Sequence, residues 1–484
     1  MATKHSLTPR LSSFEAWALA LGGIIGWGAF VMPGTTFLPT AGPLGTAIAF
    51  GIAAVVMSVI ALNIHYMMNR YPVTGGAFVF AHRMFGRTHG YICGWFLILA
   101  YLTIIPLNAT ALALISRNLM GNLLSFGPSY NLAGYDTYLV ELILGAAMLV
   151  VATLVAIRST KAMGVLQAVL VCCLVVGVGI IAISVWSSPI ASPENLQPGY
   201  SPDFSPLMGI VGVLAVAPWA FVGFDAVAQI GEDASFNMRK AGGIMIVAIV
   251  MGAGIYIAIA VSAICVLPDG FDDWPAYIAS LGSLEGLQAL PVFNAVNQTM
   301  GAAGLVVLNI ATFGAIFSGV VGFTLATSRL VYAMARENIM PHWFMRLHPK
   351  YGTPSNALIA ILLASLTLIL LGRSVLGWIL DMSSVGAAIA FLYTSLATMR
   401  QAKAEGKIAW SIAGLIGAVF SAAFIAVLLI PIPIINSTLD MSSYVLLVAW
   451  IVLGVNFYTP TYQANVTSIN DMPNDFDDPL GILR

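Results

Sequence analysis

The chain has 484 residues, of which 59% are hydrophobic and only 8% are charged. Because an ordinary soluble domain carries about 25% charged residues, this composition excludes a water-soluble protein of such length and favours a protein embedded in lipid. The formal net charge of -1 gives no indication of a nucleic-acid partner.

Long stretches without charge predict membrane-spanning helices. No Asp, Glu, Lys or Arg lies between Glu15 and Arg70, or between Glu285 and Arg329. A bilayer core requires about 20 apolar residues in helical form. We therefore predict an all-α, polytopic protein with about twelve transmembrane helices. Their expected bounds are 13–37, 44–68, 90–116, 137–157, 162–186, 207–231, 242–266, 300–328, 355–372, 376–398, 409–431 and 442–459. Such long apolar runs exclude a barrel built from strands of about ten residues.

The positions of Lys and Arg predict the orientation of these helices, since cytoplasmic loops are enriched in both residues. With the N-terminus inside, the predicted outer segments contain only Arg117 and Arg373 of the 19 Lys and Arg residues. We therefore expect a multi-pass protein of the cytoplasmic membrane. Residues 1–12 and 460–484 are its predicted cytoplasmic tails.

The first predicted span contains a cluster of glycines at its middle. Gly22, Gly23, Gly26 and Gly28 surround Trp27, and each glycine weakens a helix by about 1 kcal/mol relative to alanine. Unwound backbone in a membrane is tolerated only against protein or a wet cavity. We therefore predict that this helix is interrupted. The alternative is that the glycines permit close packing between helices.

The sixth predicted span contains a matching irregularity. Pro218 lacks a backbone donor, Gly223 weakens the next turn, and the acidic Asp225 follows. Interruptions in spans one and six are expected of an inverted repeat of five plus five helices. The predicted repeats are residues 13–186 and 207–398, with two further helices over 409–459. The alternative is a kinked helix without a ligand.

Two facing breaks offer chemistry for a zwitterion. Backbone N–H groups at a helix N-terminus favour a carboxylate, whereas the carbonyl groups of a helix C-terminus favour an ammonium group or another cation. The sequence therefore predicts a binding site at the middle of the membrane for a small amino acid or related amine.

Four motifs resemble the amino acid–polyamine–organocation (APC) superfamily. The first runs from Gly23 to Gly34 (GIIGWGAFVMPG), and the second from Tyr71 to Phe80 (YPVTGGAFVF). The third begins FVGFD at Phe221 and continues through Glu232, Asp233 and Asn237. The fourth comprises TSRLVYAMARE from Thr327, then Pro341, His348, Pro349 and YGTP from Tyr351.

The resemblance implies a LeuT-type fold with two inverted repeats and interrupted helices one and six, which would work by alternating access. It implies that the backbone around Ile24 meets the substrate amine and that the amides of Trp27 and Gly28 meet its carboxylate. The substrate-binding residues expected on this basis are Ile24, Ile25, Gly26, Trp27, Gly28, Tyr101, Trp219, Ala220, Phe221, Val222 and Gly223.

Two positions depart from the family pattern. Position 27 is commonly small or hydroxyl-bearing in the family, whereas here it is Trp. Some relatives also place a Lys in helix five that substitutes for a sodium ion. Residues 162–186 contain no Lys or Arg, so that cation is absent here.

Two sets of polar residues are candidates for coupling or gating. Asp225 lies within a predicted span, where burial of an acid is costly, and its alternative role is a structural bond to loosened backbone. Ser318 and Thr312 are candidates for binding Na⁺ together with the carbonyl of Gly22, since oxygen ligands suit a hard cation. Their alternative role is ordinary hydrogen bonding between helices.

These observations favour a secondary transporter of a small amino acid or amine that is proton-coupled or an exchanger. The alternatives are a sodium-coupled symporter and, from another class, a substrate sensor built like a transporter. The sequence contains no nucleotide-binding, metal-binding or catalytic motif. An enzymatic activity and a cofactor are therefore not expected, and the expected partners are the solute, membrane lipid and either H⁺ or Na⁺.

Overall fold

The computed structural model of the chain describes residues 7, 10–120, 125–430 and 439–470. Most of the predicted N-terminal tail and residues 471–484 of the predicted C-terminal tail lie outside these residues. The terms inner and outer are used below in the sense of the predicted orientation.

The described residues form α-helices and one small β-hairpin. In chain order the first helices are Ser13–Ile24 (α1), Gly28–Met32 (α2), Leu38–Met68 (α3), Ala77–Phe85 (α4), Arg87–Leu102 (α5), Ile104–Met120 (α6), Leu139–Arg158 (α7), Thr160–Trp186 (α8) and Pro206–Ala215 (α9). The remaining helices are Ala217–Ala220 (α10), Ala226–Gln229 (α11), Ala241–Ser262 (α12), Trp274–Ala279 (α13), Pro291–Arg336 (α14), Ser355–Ile369 (α15), Gly372–Ala404 (α16), Ile408–Leu429 (α17) and Met441–Asn470 (α18). Residues Pro33–Phe37 form a π-helical turn between α2 and α3.

Within the described residues, 9 helices are long and apolar enough to cross a membrane. Nine of the twelve predicted spans map onto these helices. The other three are the first and the sixth, which are interrupted, and the ninth, which is the shorter apolar helix α15. The chain is thus a helical polytopic membrane protein, and the count of twelve crossings stays a prediction.

Two long helices contain a kink at a glycine. Gly42 in α3 and Gly301 in α14 have φ values of 68° and 59°, a left-handed conformation that glycine adopts at little cost. The kink at Gly42 separates predicted spans one and two. The predicted outer loop over 267–299 is in part helical, because α13 lies within it and α14 begins at Pro291.

Two features of the structure were not predicted from the sequence. Besides the helices, the strands Ser129–Leu132 (β1) and Tyr135–Tyr138 (β2) pair antiparallel in the loop before α7. Helix α18 continues to Asn470, into the predicted C-terminal tail, while its part that is apolar enough to cross a membrane is Met441–Tyr458. Short turns and loop strands of this kind carry no long apolar signal.

The helices surround a large hydrophobic core and a smaller second one, and they expose apolar side chains on their outer faces. Val55, Ile183 and Ile408 are 67%, 71% and 75% exposed. Apolar residues at such positions are expected where the surrounding solvent is lipid. Helix α1 lies inside the bundle against α8, α12 and α14, and this central position places its break deep within the protein.

Candidate functional site

The first span is interrupted where the glycines cluster. Helix α1 ends at Ile24, residues 25–27 are not helical, and α2 begins at Gly28. The amide of Ala29 donates to the carbonyl of Gly26 over 3.2 Å, so the backbone makes a tight turn before the helix resumes. The predicted interruption of this span is therefore present in the structure.

The sixth span is also interrupted. Helix α9 ends at Ala215, the short α10 covers Ala217–Ala220, and residues 221–225 form turns before α11. Gly223 has a φ of 123°, a conformation that side-chain-bearing residues rarely adopt. Gly223 therefore permits the chain to turn at this position.

The two interruptions are in direct backbone contact. A Cβ atom on Gly23 would lie 2.6 Å from the Cα atom of Gly223. A Cβ atom on Gly223 would lie 2.5 Å from the Cα atom of Gly23 and 2.9 Å from the amide nitrogen of Ile24. Because neither position has room for a side chain, the two breaks cross without any atoms between them.

A small cavity lies beside this crossing. Its lining residues are Gly23, Ile24, Gly26, Trp27, Gly28, Ile104, Leu107, Asn108, Trp219, Tyr256 and Gly319. The cavity thus combines backbone of the first span with side chains of α6, α10, α12 and α14.

Five of the predicted substrate-binding residues line this cavity, namely Ile24, Gly26, Trp27, Gly28 and Trp219. The other six do not line it: Ile25, Tyr101, Ala220, Phe221, Val222 and Gly223 are buried in the surrounding protein. Their distribution follows from the geometry of the breaks, since only one side of each broken helix faces the cavity.

Two polar side chains face the cavity from other helices. The side-chain Nδ2 atom of Asn108 donates to the carbonyl of Ile104 over 2.9 Å. The Oδ1 atom of the same side chain is buried without a partner in the described part of the chain. The hydroxyl of Tyr256 donates to the carbonyl of Ile24 over 3.0 Å. An unpaired buried acceptor is costly, so Asn108 Oδ1 is suited to receive a hydrogen bond from a ligand.

Asp225 and Tyr101 are bonded to each other and lie outside the cavity. The hydroxyl of Tyr101 donates to Asp225 Oδ2 over 2.5 Å. The backbone N–H of Gly223 donates to Asp225 Oδ1 over 3.0 Å. The carboxylate therefore joins α5 to the turn in the sixth span, at the glycine that contacts the first span.

The predicted sodium residues Ser318 and Thr312 lie on different turns of α14. Ser318 Oγ donates to the carbonyl of Gly22 over 3.3 Å and to that of Ala315 over 3.0 Å. Thr312 lies six residues earlier on the same helix, about 9 Å along its axis.

The space beside Gly22 contains a glutamine from α8. Gln167 Nε2 donates to the carbonyl of Ala18 over 3.2 Å, and a Cβ atom on Gly22 would lie only 2.4 Å from it. Gln167 is 2% exposed, and its Oε1 atom has no partner within the described part of the chain. A neutral amide thus lies where helices α1, α8 and α14 meet.

A buried ion pair lies at the inner end of the bundle. Arg329 Nε lies 2.9 Å from Asp233 Oδ2, and the two side chains are 0% and 2% exposed. Arg329 Nη2 also donates to Thr160 Oγ1 over 2.8 Å. Beside this pair, the backbone of Leu11 forms a parallel bridge with Ala234. The segment before α1 is therefore attached to the loop after the sixth span.

Sequence reasoning did not identify Tyr256, Gln167 or the pairing of Arg329 with Asp233. Tyr256 and Gln167 are single polar residues in apolar helices, and nothing in their local pattern indicates which neighbour they face. Arg329 and Asp233 both lie in the motifs quoted above, but the motifs did not indicate that the two side chains pair with each other.

Comparison with known proteins supports a transport role. Residues 11–455 match the family described as amino acid permease. The branched-chain amino acid permease BcaP of Lactococcus lactis subsp. cremoris is 24% identical over 413 residues, which cover 82% of this chain and 83% of that protein. The methylthioribose transporter of Bacillus subtilis is 24% identical over 427 residues, covering 81% of each chain.

A human relative shows the same level of similarity. Cationic amino acid transporter 4 of Homo sapiens is 24% identical over 418 residues, which cover 83% of this chain and 61% of that protein. The family match spans both interrupted helices, the cavity between them and the ion pair at the inner end. This chain therefore belongs to the amino acid permease family, within the APC superfamily, and is a transporter and not an enzyme.

Proposed function

We propose that the chain is a secondary active transporter that carries a small amino acid or related amine across the cytoplasmic membrane by alternating access. The observation that carries this proposal is the cavity beside the Gly23–Gly223 crossing, which is lined by backbone of a broken helix. Broken helices of this kind form the central sites of many transporters. Both termini are expected on the cytoplasmic side.

The groups around the cavity suit a zwitterion. The carbonyl of Ile24 and Asn108 Oδ1 are acceptors for an ammonium group, and the carbonyl retains a lone pair beside its bond from Tyr256. The backbone at Trp27 and Gly28 begins a new helical segment, where N–H groups favour a carboxylate. A solute with both groups would bridge the break.

The cavity is too small for an amino acid in this conformation, which supports a closed state. Only about 20 Å³ of its volume admits the centre of a water molecule, which is room for about one or two waters. Trp27 and Trp219 both border this space. Entry of a substrate therefore requires an indole to move, as alternation between open and closed states would provide.

The positions of the two breaks support the proposed repeat. They lie at the start of residues 13–186 and of residues 207–398, the two predicted halves of a LeuT-type fold, with 409–459 outside the repeat. Equivalent breaks in equivalent helices are expected when one half is related to the other by an inverted repeat.

Proton coupling or exchange is the form of coupling we propose. Gln167 occupies the junction of α1, α8 and α14 with a neutral amide, and Asp225 supplies a buried acid beside the sixth-span turn. Sodium symport is the alternative, with Ser318 and the Gly22 carbonyl as the ligands available. A substrate sensor remains the alternative from another class.

Counterflow in proteoliposomes tests this function. Vesicles containing the purified protein are loaded with one unlabelled solute and exposed to trace labelled solute, using branched-chain, small and cationic amino acids, their decarboxylated amines and methylthioribose. Transient accumulation of one class is expected. Binding without flux across the whole panel would indicate a sensor, and neither binding nor flux would refute the proposal.

A further inference from the structure

A second cavity lies on the outer side of the protein, near the β-hairpin. In this conformation it is small, with about 20 Å³ that admits the centre of a water molecule, and it lies between α6, β2, α7 and the start of α16. The polar residues on its wall include Tyr135, Thr137, Glu141 and Arg373. We name it the Arg373 cavity.

Three buried polar groups on this wall have no hydrogen-bond partner among the described residues. They are Arg373 Nη1, the hydroxyl of Tyr135 and the hydroxyl of Thr137. A buried polar group without a partner costs free energy, and such groups are rare in native proteins. Three of them on one cavity indicate a ligand, and all three can donate a hydrogen bond.

The charge of the cavity indicates the sign of that ligand. Glu141 is neutralised by Arg117, whose Nη2 atom lies 2.6 Å from Glu141 Oε2. Arg373 forms no ion pair with any carboxylate in the described part of the chain. The two basic residues of the predicted outer segments thus differ, because Arg117 has its counterion and Arg373 does not.

Arg373 also connects this cavity to the central one. Its guanidinium lies over the indole of Trp27, 4.1 Å from the ring centroid. Trp27 borders the central cavity beside the broken helix. A solute bound at Arg373 would therefore be separated from the central cavity by this indole.

We propose that the Arg373 cavity binds the carboxylate of an amino acid before the solute passes Trp27 into the central cavity. A guanidinium binds a carboxylate through two parallel hydrogen bonds, and the hydroxyls of Tyr135 and Thr137 supply further donors. This inference rests on the proposed function, because it assigns an entry site to the same solute.

The test uses the full-length protein and the variants Arg373→Gln and Arg373→Lys. Arg346→Gln is the matched control, since Arg346 is an exposed basic residue on the inner side. Thermal stabilisation is measured with sodium propionate, sodium chloride and propylammonium methanesulfonate. Uptake of the amino acid identified by counterflow is then measured as a function of its external concentration.

Propionate is expected to stabilise the wild type and the Arg346→Gln control, and not Arg373→Gln. Arg373→Gln should raise the half-saturating external concentration about tenfold or more, and Arg373→Lys should restore part of this loss. The unfolding midpoint of ligand-free Arg373→Gln should not fall, because the variant removes a largely buried charge that has no carboxylate partner among the described residues.

Stabilisation of Arg373→Gln by propionate as strong as in the wild type would overturn the inference. Equal stabilisation by chloride and propionate would also overturn it, since the cavity would then be a site for inorganic anions. The wild type could also bind propionate without transporting any solute, while Arg373→Gln does not bind propionate. In that case the proposed function fails and the carboxylate site stands.

Discussion

Gly23 and Gly223 are 200 positions apart in the sequence, yet a Cβ atom on Gly23 would lie 2.6 Å from the Cα atom of Gly223. This contact holds the interruption of the first span against that of the sixth. The positive φ of Gly223, 123°, adds a second reason for glycine there.

Gly223→Ala should therefore lower both stability and transport. The added methyl group meets backbone atoms that cannot rotate away, and overpacking of this kind costs about 1–3 kcal/mol. The unfolding midpoint in detergent and the counterflow rate both report the effect. Gly254→Ala is the matched control, because its Cβ atom would meet nothing within 4 Å. Equal unfolding midpoints and counterflow rates in Gly223→Ala and Gly254→Ala would contradict the direct contact between Gly23 and Gly223.

Gly28→Val should abolish counterflow while the protein still inserts and folds. A Cβ atom on Gly28 would lie 2.8 Å from Trp219 Cη2, so valine displaces the indole and narrows the central cavity. The control is Gly254→Val, which lies on an open helix face. Expression, monodispersity and initial uptake rates distinguish loss of the site from loss of the fold. Normal uptake kinetics in Gly28→Val would place the substrate elsewhere.

Asp225→Asn should remove the dependence of uptake on an imposed proton gradient while exchange of internal for external solute continues. The amide retains the shape of the carboxylate but cannot accept and release a proton. Tyr101→Phe should alter the pH profile in the same experiment, because it removes the 2.5 Å hydrogen bond to Asp225. Glu285→Gln, in the exposed outer loop, serves as the control. A pH profile unchanged by Asp225→Asn would exclude this acid from coupling.

Replacement of sodium by choline should leave the half-saturating substrate concentration of the wild type unchanged. Gln167 Nε2 lies beside Gly22 and donates to the carbonyl of Ala18, so a hydrogen-bond donor lies next to the backbone that carries the predicted sodium ligand. Ser318→Ala should likewise remain independent of sodium. The measurement is uptake in proteoliposomes with the membrane potential clamped. Sodium symport would instead be favoured if choline raised the half-saturating substrate concentration of the wild type several-fold and had no such effect on Ser318→Ala.

Arg329→Ala should destabilise the protein by about 3–5 kcal/mol, since removal of one partner leaves the charge of Asp233 buried and unpaired. The double variant Arg329→Met and Asp233→Leu should recover most of this loss, because no buried charge remains. Lys407→Ala is the control: it breaks an ion pair at 2.7 Å whose lysine is half exposed, and such pairs contribute less than about 1 kcal/mol. Denaturation midpoints give the comparison. A double variant as unstable as Arg329→Ala would argue against an unpaired buried charge as the cause of the destabilisation.

The sequence predicted the helical elements well for a physical reason. Each membrane segment must satisfy its own backbone hydrogen bonds and present apolar side chains to lipid, so the signal is local and visible in composition. The glycines around Trp27 and the Pro218–Gly223 stretch predicted the two breaks for a similar reason, because glycine and proline weaken a helix at their own positions. The hairpin at Ser129–Leu132 and the extension of α18 to Asn470 were missed, because short or polar elements lack that apolar signal.

The sequence by itself thus determined that the chain is a membrane protein, where its long helices lie and which two of them are broken. Only the tertiary structure decided which residues meet: Gly23 with Gly223, Tyr101 with Asp225, Gln167 with Ala18, and Arg373 with Trp27. Helix periodicity indicates which face of a helix is apolar, but in an all-round apolar helix it does not indicate the neighbour. Those contacts depend on packing between segments far apart in the chain, and they place the candidate site.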